Sequence, residues 1–262
     1  MNICLFTEEE IQKPLSLADE RAQHIVKVLH KNVGDTFTAG IIGKCSGIAT
    51  ITSVSGTKHD GGSLCFLFKP TGDGKPLYPL VMIIGFPRPI QLKRLLRDMA
   101  SLGVKEVHLT ATELGEKSYL NSDLATSEAG YKMLLDGTVQ AGGVHVPLLV
   151  RHKSLKECLL YMKEKFPNAK NRLALDNVNP ADSLPAFLHT ARDAANSDHK
   201  MLTSSSLTIA AIGSERGWTD AERSLLESQG YIRLGMGSRI LRTETAATTA
   251  ASLILGAQGF LG

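Results

Sequence analysis

From about residue 80 onward the chain alternates short apolar runs with segments of helical periodicity. The run 80–85 is continuously apolar, as expected of a strand covered on both faces, and 90–102 places its leucines and Met99 along one helical face. Five more apolar runs, each followed by helical sequence, lie at about 106–109, 146–150, 172–175, 207–212 and 231–234. This alternation predicts a parallel α/β sheet.

The first seventy residues follow another pattern. A helix is expected from Ser16 or Asp19 to Leu29, with strands at 33–39, 47–54 and 63–69. A stretch rich in proline and glycine, 70–79, separates the two patterns. The 262 residues therefore divide into two predicted domains, a small β-barrel with one helix at 1–72 and an α/β domain at 73–262.

Composition excludes several classes of protein. With 43% hydrophobic and 21% charged residues, the chain has the balance of a packed, water-soluble protein. No apolar run approaches the roughly 20 residues of a membrane span, and the first residues lack the features of a secretory signal, so a cytoplasmic protein without a membrane partner is expected. The four cysteines occur singly and the eight histidines are scattered, so no metal is expected. The net charge of +3 permits a polyanionic partner without requiring one.

Three loops after predicted strands are unusual, and they are candidate binding sites because ligands of parallel α/β sheets collect at the carboxyl ends of strands. The first begins with Asp176 and Asn177, after the strand at 172–175, and the other two carry more specific candidates. One loop contains Gly213 and Gly217, which let the backbone approach a ligand, and the carboxylate of Glu215. For a G-x-E-x-G pattern on its own, a tight turn is the simpler explanation. The P-loop, G-x-G-x-x-G, H-E-x-x-H and G-x-S-x-G motifs are absent, which argues against P-loop ATPases, classical dehydrogenases, zincins and α/β-hydrolases.

The other loop combines a glycine pair, an apolar dipeptide and two arginines, Arg239 and Arg242. Arginines this close to the end of a buried strand need an anion or a carboxylate partner. A salt bridge to Glu215 or Glu244 is the alternative to a ligand contact. Thr243 is expected to cap a last helix, 244–257, whose small residues suit tight internal packing or a dimer partner.

Both loops match a known pattern. The segment 234–246 reads LGMGSRILRTETA, which is the pattern L-G-x-R-I-L-R-T-E-T-A with two extra residues before the first arginine, and 213–217 reads GSERG beside G-P-E-G-G. These segments resemble the SPOUT class of methyltransferases, in particular the bacterial ribosomal-RNA uracil-N3 methyltransferases of the RsmE family. The run 21–29 looks like the opening helix of that family. The chain departs from the family pattern at Ser214 and Arg216, and also at 100–104 and 139–143.

The resemblance implies a trefoil-knotted α/β domain preceded by a PUA-like β-barrel. It also implies S-adenosylmethionine as cofactor, a homodimer, and methylation of N3 of a uridine in 16S ribosomal RNA or the small ribosomal subunit. The implied cofactor-binding residues are Leu175, Ile212, Gly213, Ser214, Glu215, Gly217, Leu234, Gly235, Arg239, Ile240, Leu241 and Thr243. Two alternatives stay open: another RNA nucleotide or a ribose 2′-hydroxyl as target, and a non-catalytic RNA-binding or ribosome-assembly protein.

Three residues are catalytic candidates under this resemblance. Arg242 is expected to contact uracil or phosphate, and Arg239 is a second donor for the uracil oxygens. Glu215 is a candidate base or cofactor-orienting group.

Basic residues on two predicted helices are candidates for RNA contacts. Lys93, Arg94 and Arg97 lie opposite the leucines of 90–102, near Arg88, although a solvated helix face would look the same. The first helix adds Arg21 and Lys27 as possible phosphate contacts.

Overall fold

The computed structural model describes residues 2–122, 127–193, 203 and 205–261. It divides into two compact units. The first comprises Met1–Pro76 with Leu135–Val146, and the second Leu77–Leu134 with Pro147–Gly262.

The first unit contains a five-stranded sheet with the order β1-β3-β4-β5-β2. The strands are β1 Cys4–Phe6, β2 Leu15–Ser16, β3 Thr36–Ile41, β4 Cys45–Ser55 and β5 Ser63–Gly72. β1 pairs with β3 in parallel, and the other pairs are antiparallel. The three predicted strands are present. β1 and β2 were not predicted, because two or three residues are too few to show an alternating pattern.

The predicted first helix is present in two pieces, α1 Glu20–Gln23 and a π-helical turn His24–Val28. Asp19 caps α1 by accepting a hydrogen bond from the backbone N–H of Arg21 at 2.8 Å. The segment 135–146 also belongs to this unit, since Val144 packs on Ile3 and its carbonyl accepts from the Gly43 N–H at 2.8 Å. No sequence pattern had indicated that the chain returns to this unit.

The second unit contains a seven-stranded sheet in which every pair is parallel, with the order β10-β12-β9-β11-β6-β7-β8. The strands are β6 Tyr78–Gly85, β7 Val104–Thr110, β8 Leu148–His152, β9 Asn171–Leu175, β10 Asp182–Ser183, β11 Thr208–Ile212 and β12 Ile232–Gly235. All six predicted strands are present and parallel. The two-residue β10 was not predicted.

Helices cover both faces of this sheet. They are α2 Pro89–Ser101, α4 Leu155–Lys165, α5 Leu184–Asp193, α6 Asp220–Ser228 and α7 Thr243–Ala257. A further helix, α3 Ser127–Gln140, continues from this unit into the 135–146 segment of the first, and a 3₁₀ turn spans Lys117–Asn121. On one face α4 and α6 bury Val81 and Ile83 of the central strand. On the other face α7 contacts the same strand and α2. This burial on both faces explains the continuously apolar run at 80–85. Within the described residues, no helix is long and apolar enough to cross a membrane.

The start of the last helix differs from its prediction. Arg242 is the N-cap residue, with extended backbone at φ −67° and ψ 152°, and it makes no side-chain capping bond. Thr243 is the first helical residue and is buried. Its hydroxyl points away from the helix terminus and donates to the carbonyl of Gly213 at 3.5 Å. The expectation that Thr243 caps this helix was therefore wrong.

The small residues of α7 serve internal packing. Ala246, Ala247, Ala250 and Ala251 are all buried within the chain, so the helix axis can approach the sheet closely. Thr248 adds a hydrogen bond to Asp98 of α2 at 3.2 Å. This helix face is thus occupied within the chain itself.

Candidate functional site

A cleft opens at the carboxyl ends of β9, β11 and β12, where a parallel sheet is expected to bind ligands. The space between its walls is about 610 Å³, which includes open solvent at its mouth. Its lining residues are Leu175, Asp176, Asn177, Ile212, Gly213, Ser214, Glu215, Gly217, Trp218, Met236, Gly237, Arg239, Ile240, Leu241, Thr243 and Ala246.

The structure brings most of the predicted cofactor residues to this cleft. Leu234 and Gly235 are the two that do not line it. Leu234 is fully buried in β12, and a Cβ on Gly235 would stand 3.0 Å from the side chain of Pro180. Arg242 also lies outside the lining, exposed at the start of α7.

Two glycines in the cleft lining, Gly217 and Gly237, leave part of its surface without side chains. Gly217 and Gly237 have φ values of +73° and +100°, which side chains rarely adopt. No heavy atom lies within 4 Å of the position that a Cβ would take at either glycine. Peptide groups at these two positions are therefore accessible to a ligand that enters the cleft.

The loop after β11 is a tight turn that packs closely on its neighbours. The Gly217 N–H donates to the Ser214 carbonyl at 2.9 Å. A Cβ on Gly213 would stand 2.9 Å from the Gly217 carbonyl carbon, and one on Gly85 would stand 2.4 Å from the Ser214 nitrogen. The tight-turn and ligand-loop interpretations are thus compatible, because the same turn forms one wall of the cleft.

Two side chains of this loop have partners outside it. Thr112 donates to the hydroxyl of the buried Ser214 at 3.0 Å. The carboxylate of Glu215 accepts from the backbone N–H of Arg88, the N-cap residue of α2, at 3.0 Å. A carboxylate is favourable there because a helix N-terminus carries partial positive charge. Glu215 thereby joins the loop to the start of α2.

A buried carboxylate fixes the wall formed by the loop after β9. The Asp176 side chain is 1% exposed and accepts from Arg223 Nε at 2.6 Å and from Arg233 Nη1 at 3.3 Å. Arg233 also donates to the Val178 carbonyl at 2.7 Å. The indole N–H of buried Trp218 donates to the Leu175 carbonyl at 3.3 Å.

Several lining residues were missing from the predicted site. The position of Asp176 and Asn177 directly after a predicted strand was the available signal for these two. Trp218, Met236, Gly237 and Ala246 lie beside residues that were chosen, and only the folded loops show that they face the cleft.

Arg239 and Arg242 are exposed, and among the described residues no carboxylate lies within ion-pair distance of either guanidinium. The alternative of a salt bridge to Glu215 or Glu244 is therefore not what the structure shows. Arg239 lines the mouth of the cleft beside Ile240, which is 84% exposed.

The predicted basic surface on α2 is present. Arg88, Lys93, Arg94 and Arg97 are exposed, while the leucines of the helix are buried. Arg94 pairs with Asp98 only at 3.9 Å. We call these four residues the α2 basic surface.

The two candidate RNA-contacting residues of the first unit, Lys27 and Arg21, lie in different surroundings. Lys27 is exposed. The guanidinium of Arg21 instead donates to the carboxylates of Glu10 and Asp19 and to the carbonyl of Leu5, all at 2.8–3.2 Å. Its hydrogen bonds hold the pKa of both carboxyls below their usual values, against the opposing effect of burial. Arg21 is better explained as a structural residue than as a phosphate contact.

Comparisons with known proteins agree with this architecture. Residues 74–255 match the family of RNA methyltransferase domains. The chain is 41% identical over 260 residues to the ribosomal RNA small subunit methyltransferase E of Treponema pallidum (strain Nichols), covering 97% of this chain and 91% of that protein. It is 31% identical over 256 residues to ribosomal RNA small subunit methyltransferase E 1 of Borreliella burgdorferi, covering 97% of each.

Solved structures share the fold at lower identity. The ribosomal RNA small subunit methyltransferase E of Neisseria gonorrhoeae, bound to S-adenosyl methionine, aligns with a TM-score of 0.72 at 20% identity, covering 98% of this chain and 97% of that one. A probable rRNA-methyltransferase of Porphyromonas gingivalis aligns with a TM-score of 0.74 at 19% identity, covering 98% of each.

Fold, cleft and family match together define a methyltransferase of the RNA-modifying SPOUT class. The predicted fold class, a trefoil-knot α/β domain with a small PUA-like β-barrel, is confirmed. The chain belongs to the ribosomal RNA small subunit methyltransferase E family.

Proposed function

We propose that this protein uses S-adenosylmethionine to methylate N3 of a uridine in 16S ribosomal RNA. The observation that carries the proposal is the cleft at the ends of β9, β11 and β12, where accessible backbone at Gly217 and Gly237 meets apolar side chains. A relative 41% identical over nearly the whole chain is named as a small-subunit ribosomal RNA methyltransferase, which supports the same substrate class.

The residues of the cleft suit the proposed cofactor. Leu175, Ile212 and Leu241 offer apolar surface to an adenine ring. The exposed peptide group of Gly237 offers hydrogen bonds to the polar edge of that ring, whereas the Gly217 N–H is already bonded to the Ser214 carbonyl. When bound, S-adenosylmethionine would supply an electrophilic methyl group on its sulfonium. The walls are held by the Asp176 ion pairs and the Gly213–Gly217 turn, so the site is formed before a ligand arrives.

Transfer to uracil N3 requires loss of the N3 proton, and negative charge then spreads onto the two uracil oxygens. Arg239 and Arg242 are exposed guanidinium groups near the mouth of the cleft. We assign them to binding these oxygens or the adjacent phosphate, because donors aimed at developing charge accelerate such steps. The hydrogen bond from the Arg88 N–H favours a loop-positioning role for Glu215 over that of a base.

Replacing Arg242 with alanine should lower kcat by about 10²–10³-fold and leave the Kd of the cofactor nearly unchanged. The reason is that the side chain lies outside the lining of the cleft yet close to its mouth. Single-turnover methylation and calorimetry measure the two quantities. Arg216→Ala, an exposed arginine of the neighbouring loop, is the matched control. An unchanged kcat for Arg242→Ala would remove this residue from the mechanism.

The α2 basic surface is proposed to bind RNA backbone. The double variant Lys93→Glu, Arg94→Glu should weaken RNA binding and reduce the slope of log K against log salt by about 2, since each lost phosphate contact removes about one unit. Filter binding over a salt series measures this slope. Lys163→Glu, exposed on α4, is the control. Equal slopes for the wild type and the double variant would mean that Lys93 and Arg94 do not contact RNA phosphates.

A homodimer in the cytoplasm is proposed from the family resemblance. The alanine face of α7 does not support it, since those residues are buried within the chain. Light scattering on the purified protein tests the dimer.

The test of the function as a whole uses small subunits from a strain that lacks this gene. Calorimetry should show one S-adenosylmethionine per chain, and nuclease digestion with mass spectrometry should show one N3-methyluridine formed in 16S RNA. A methyl group on another base or on a ribose would replace the proposal with the first alternative. No cofactor binding, with or without RNA, would favour the non-catalytic RNA-binding protein.

A further inference from the structure

A buried cluster of polar side chains lies between β7, β8 and α4 and takes no part in the cleft. His108 on β7, His152 on β8 and Cys158 on α4 are at most 4% exposed. One donor atom from each of the three lies within 4.8 Å of the others. Two imidazoles and a thiol are donors that a zinc-class ion prefers.

The hydrogen bonds around this cluster fix which nitrogens carry protons. His108 Nε2 lies 3.0 Å from Glu106 Oε2, and Lys165 donates to the same oxygen at 2.9 Å. A carboxylate oxygen that faces an ammonium group and a ring nitrogen accepts a hydrogen bond from each. His108 therefore carries its proton on Nε2 and has a lone pair on Nδ1.

The lone pair of His108 faces the second imidazole. His108 Nδ1 lies 2.9 Å from His152 Nε2, so His152 donates this bond. Imidazole binds a metal in its neutral form, through a ring nitrogen that carries no proton.

We infer that His108, His152 and Cys158 form a binding site for a zinc-class divalent ion, with Glu106 orienting His108 behind it. The ion would bind His108 Nδ1, His152 Nε2 and the Cys158 thiolate. His152 would move its proton from Nε2 to Nδ1, and the thiol proton would leave to solvent, so one proton is released per ion. A carboxylate that accepts from a metal-binding histidine is a common outer-shell partner.

The geometry requires small movements. Tetrahedral bonds of about 2.0–2.1 Å to nitrogen and 2.3 Å to sulfur place donor atoms roughly 3.3–3.6 Å apart. The two nitrogens would separate by a few tenths of an ångström, and the sulfur would approach by about 1 Å at most. The site would join α4 to β7 and β8, on an edge of the sheet away from the cleft strands.

Cobalt titration of the full-length, chelator-treated protein under anaerobic conditions tests this inference. One Co²⁺ per chain should bind with a thiolate-to-cobalt charge-transfer band, which Zn²⁺ then displaces. The band should be lost in Cys158→Ala and kept in Cys65→Ala, a partly exposed cysteine in the other unit. Glu106→Gln should weaken affinity by about 10–100-fold.

The absence of this band in the wild type would overturn the site, whether or not the variants fold. A band that persists in folded Cys158→Ala would assign the thiolate to another cysteine and would also overturn it. In either case the cluster would be a hydrogen-bonded histidine pair. The readout is spectroscopic, so the result is independent of the proposed methyltransferase activity.

Discussion

Replacing Gly85 with alanine should weaken S-adenosylmethionine binding by about 10–100-fold. The added Cβ would stand 2.4 Å from the Ser214 nitrogen and 2.8 Å from the Gly213 carbonyl carbon. Both are backbone atoms, so the loop after β11 must move as a whole. Overpacking of this kind costs about 1–3 kcal/mol, and each 1.4 kcal/mol corresponds to a tenfold change in affinity. Calorimetric titration of the folded variant measures the change.

Gly256→Ala is the matched control for Gly85→Ala. It adds the same methyl group to the same unit, in α7, where no heavy atom lies within 4 Å of the new Cβ. Alanine is also favoured over glycine in a helix by up to about 1 kcal/mol. This control should keep its affinity, and its thermal midpoint should stay the same or rise. If Gly85→Ala binds as tightly as the control, the loop after β11 is not a wall of the cofactor site.

Replacing Asp176 with alanine should lower the free energy of unfolding by about 3 kcal/mol. The carboxylate is 1% exposed and neutralises two arginines that are themselves only 14% and 18% exposed. Removing one member of a buried ion cluster leaves uncompensated charge, which typically costs about 3–5 kcal/mol. We expect the low end because both arginines retain other partners, Asp220 and Glu227. Urea denaturation gives the value.

Asp220→Ala is the control for Asp176→Ala, because it removes a carboxylate that pairs with the same arginine but is exposed. Asp220 pairs with Arg223 at 2.8 Å, but its side chain is 98% exposed. Exposed pairs contribute about 0–1 kcal/mol, and the position of Asp220 in the first turn of α6 adds a similarly small amount. If both variants lost the same free energy of unfolding, the burial of Asp176 would not be what makes its ion pairs stabilising.

The sequence alone determined the elements that depend on local pattern. The six apolar runs gave the parallel strands, because a strand covered on both faces has no polar side. The T-x-x-E spacing of Thr219 and Glu222 is the signature of a capping box at the start of α6, and both of its reciprocal hydrogen bonds are formed. The two glycine-containing loops predicted a ligand site at the ends of β11 and β12. Their match to the RsmE pattern predicted the family.

The tertiary structure decided what each side chain contacts. Pairing across the sheet places β12 between β9 and β10, and that order brings Arg233 to Asp176. Thr243 donates a hydrogen bond to the Gly213 carbonyl, and Arg21 donates one to the Glu10 carboxylate. A hydrogen bond also joins the rings of His108 and His152, which are 44 residues apart in sequence. Periodicity and capping act over a few residues and can be read from the chain. Partners distant in sequence are fixed only when the whole chain packs, so their roles came from the fold.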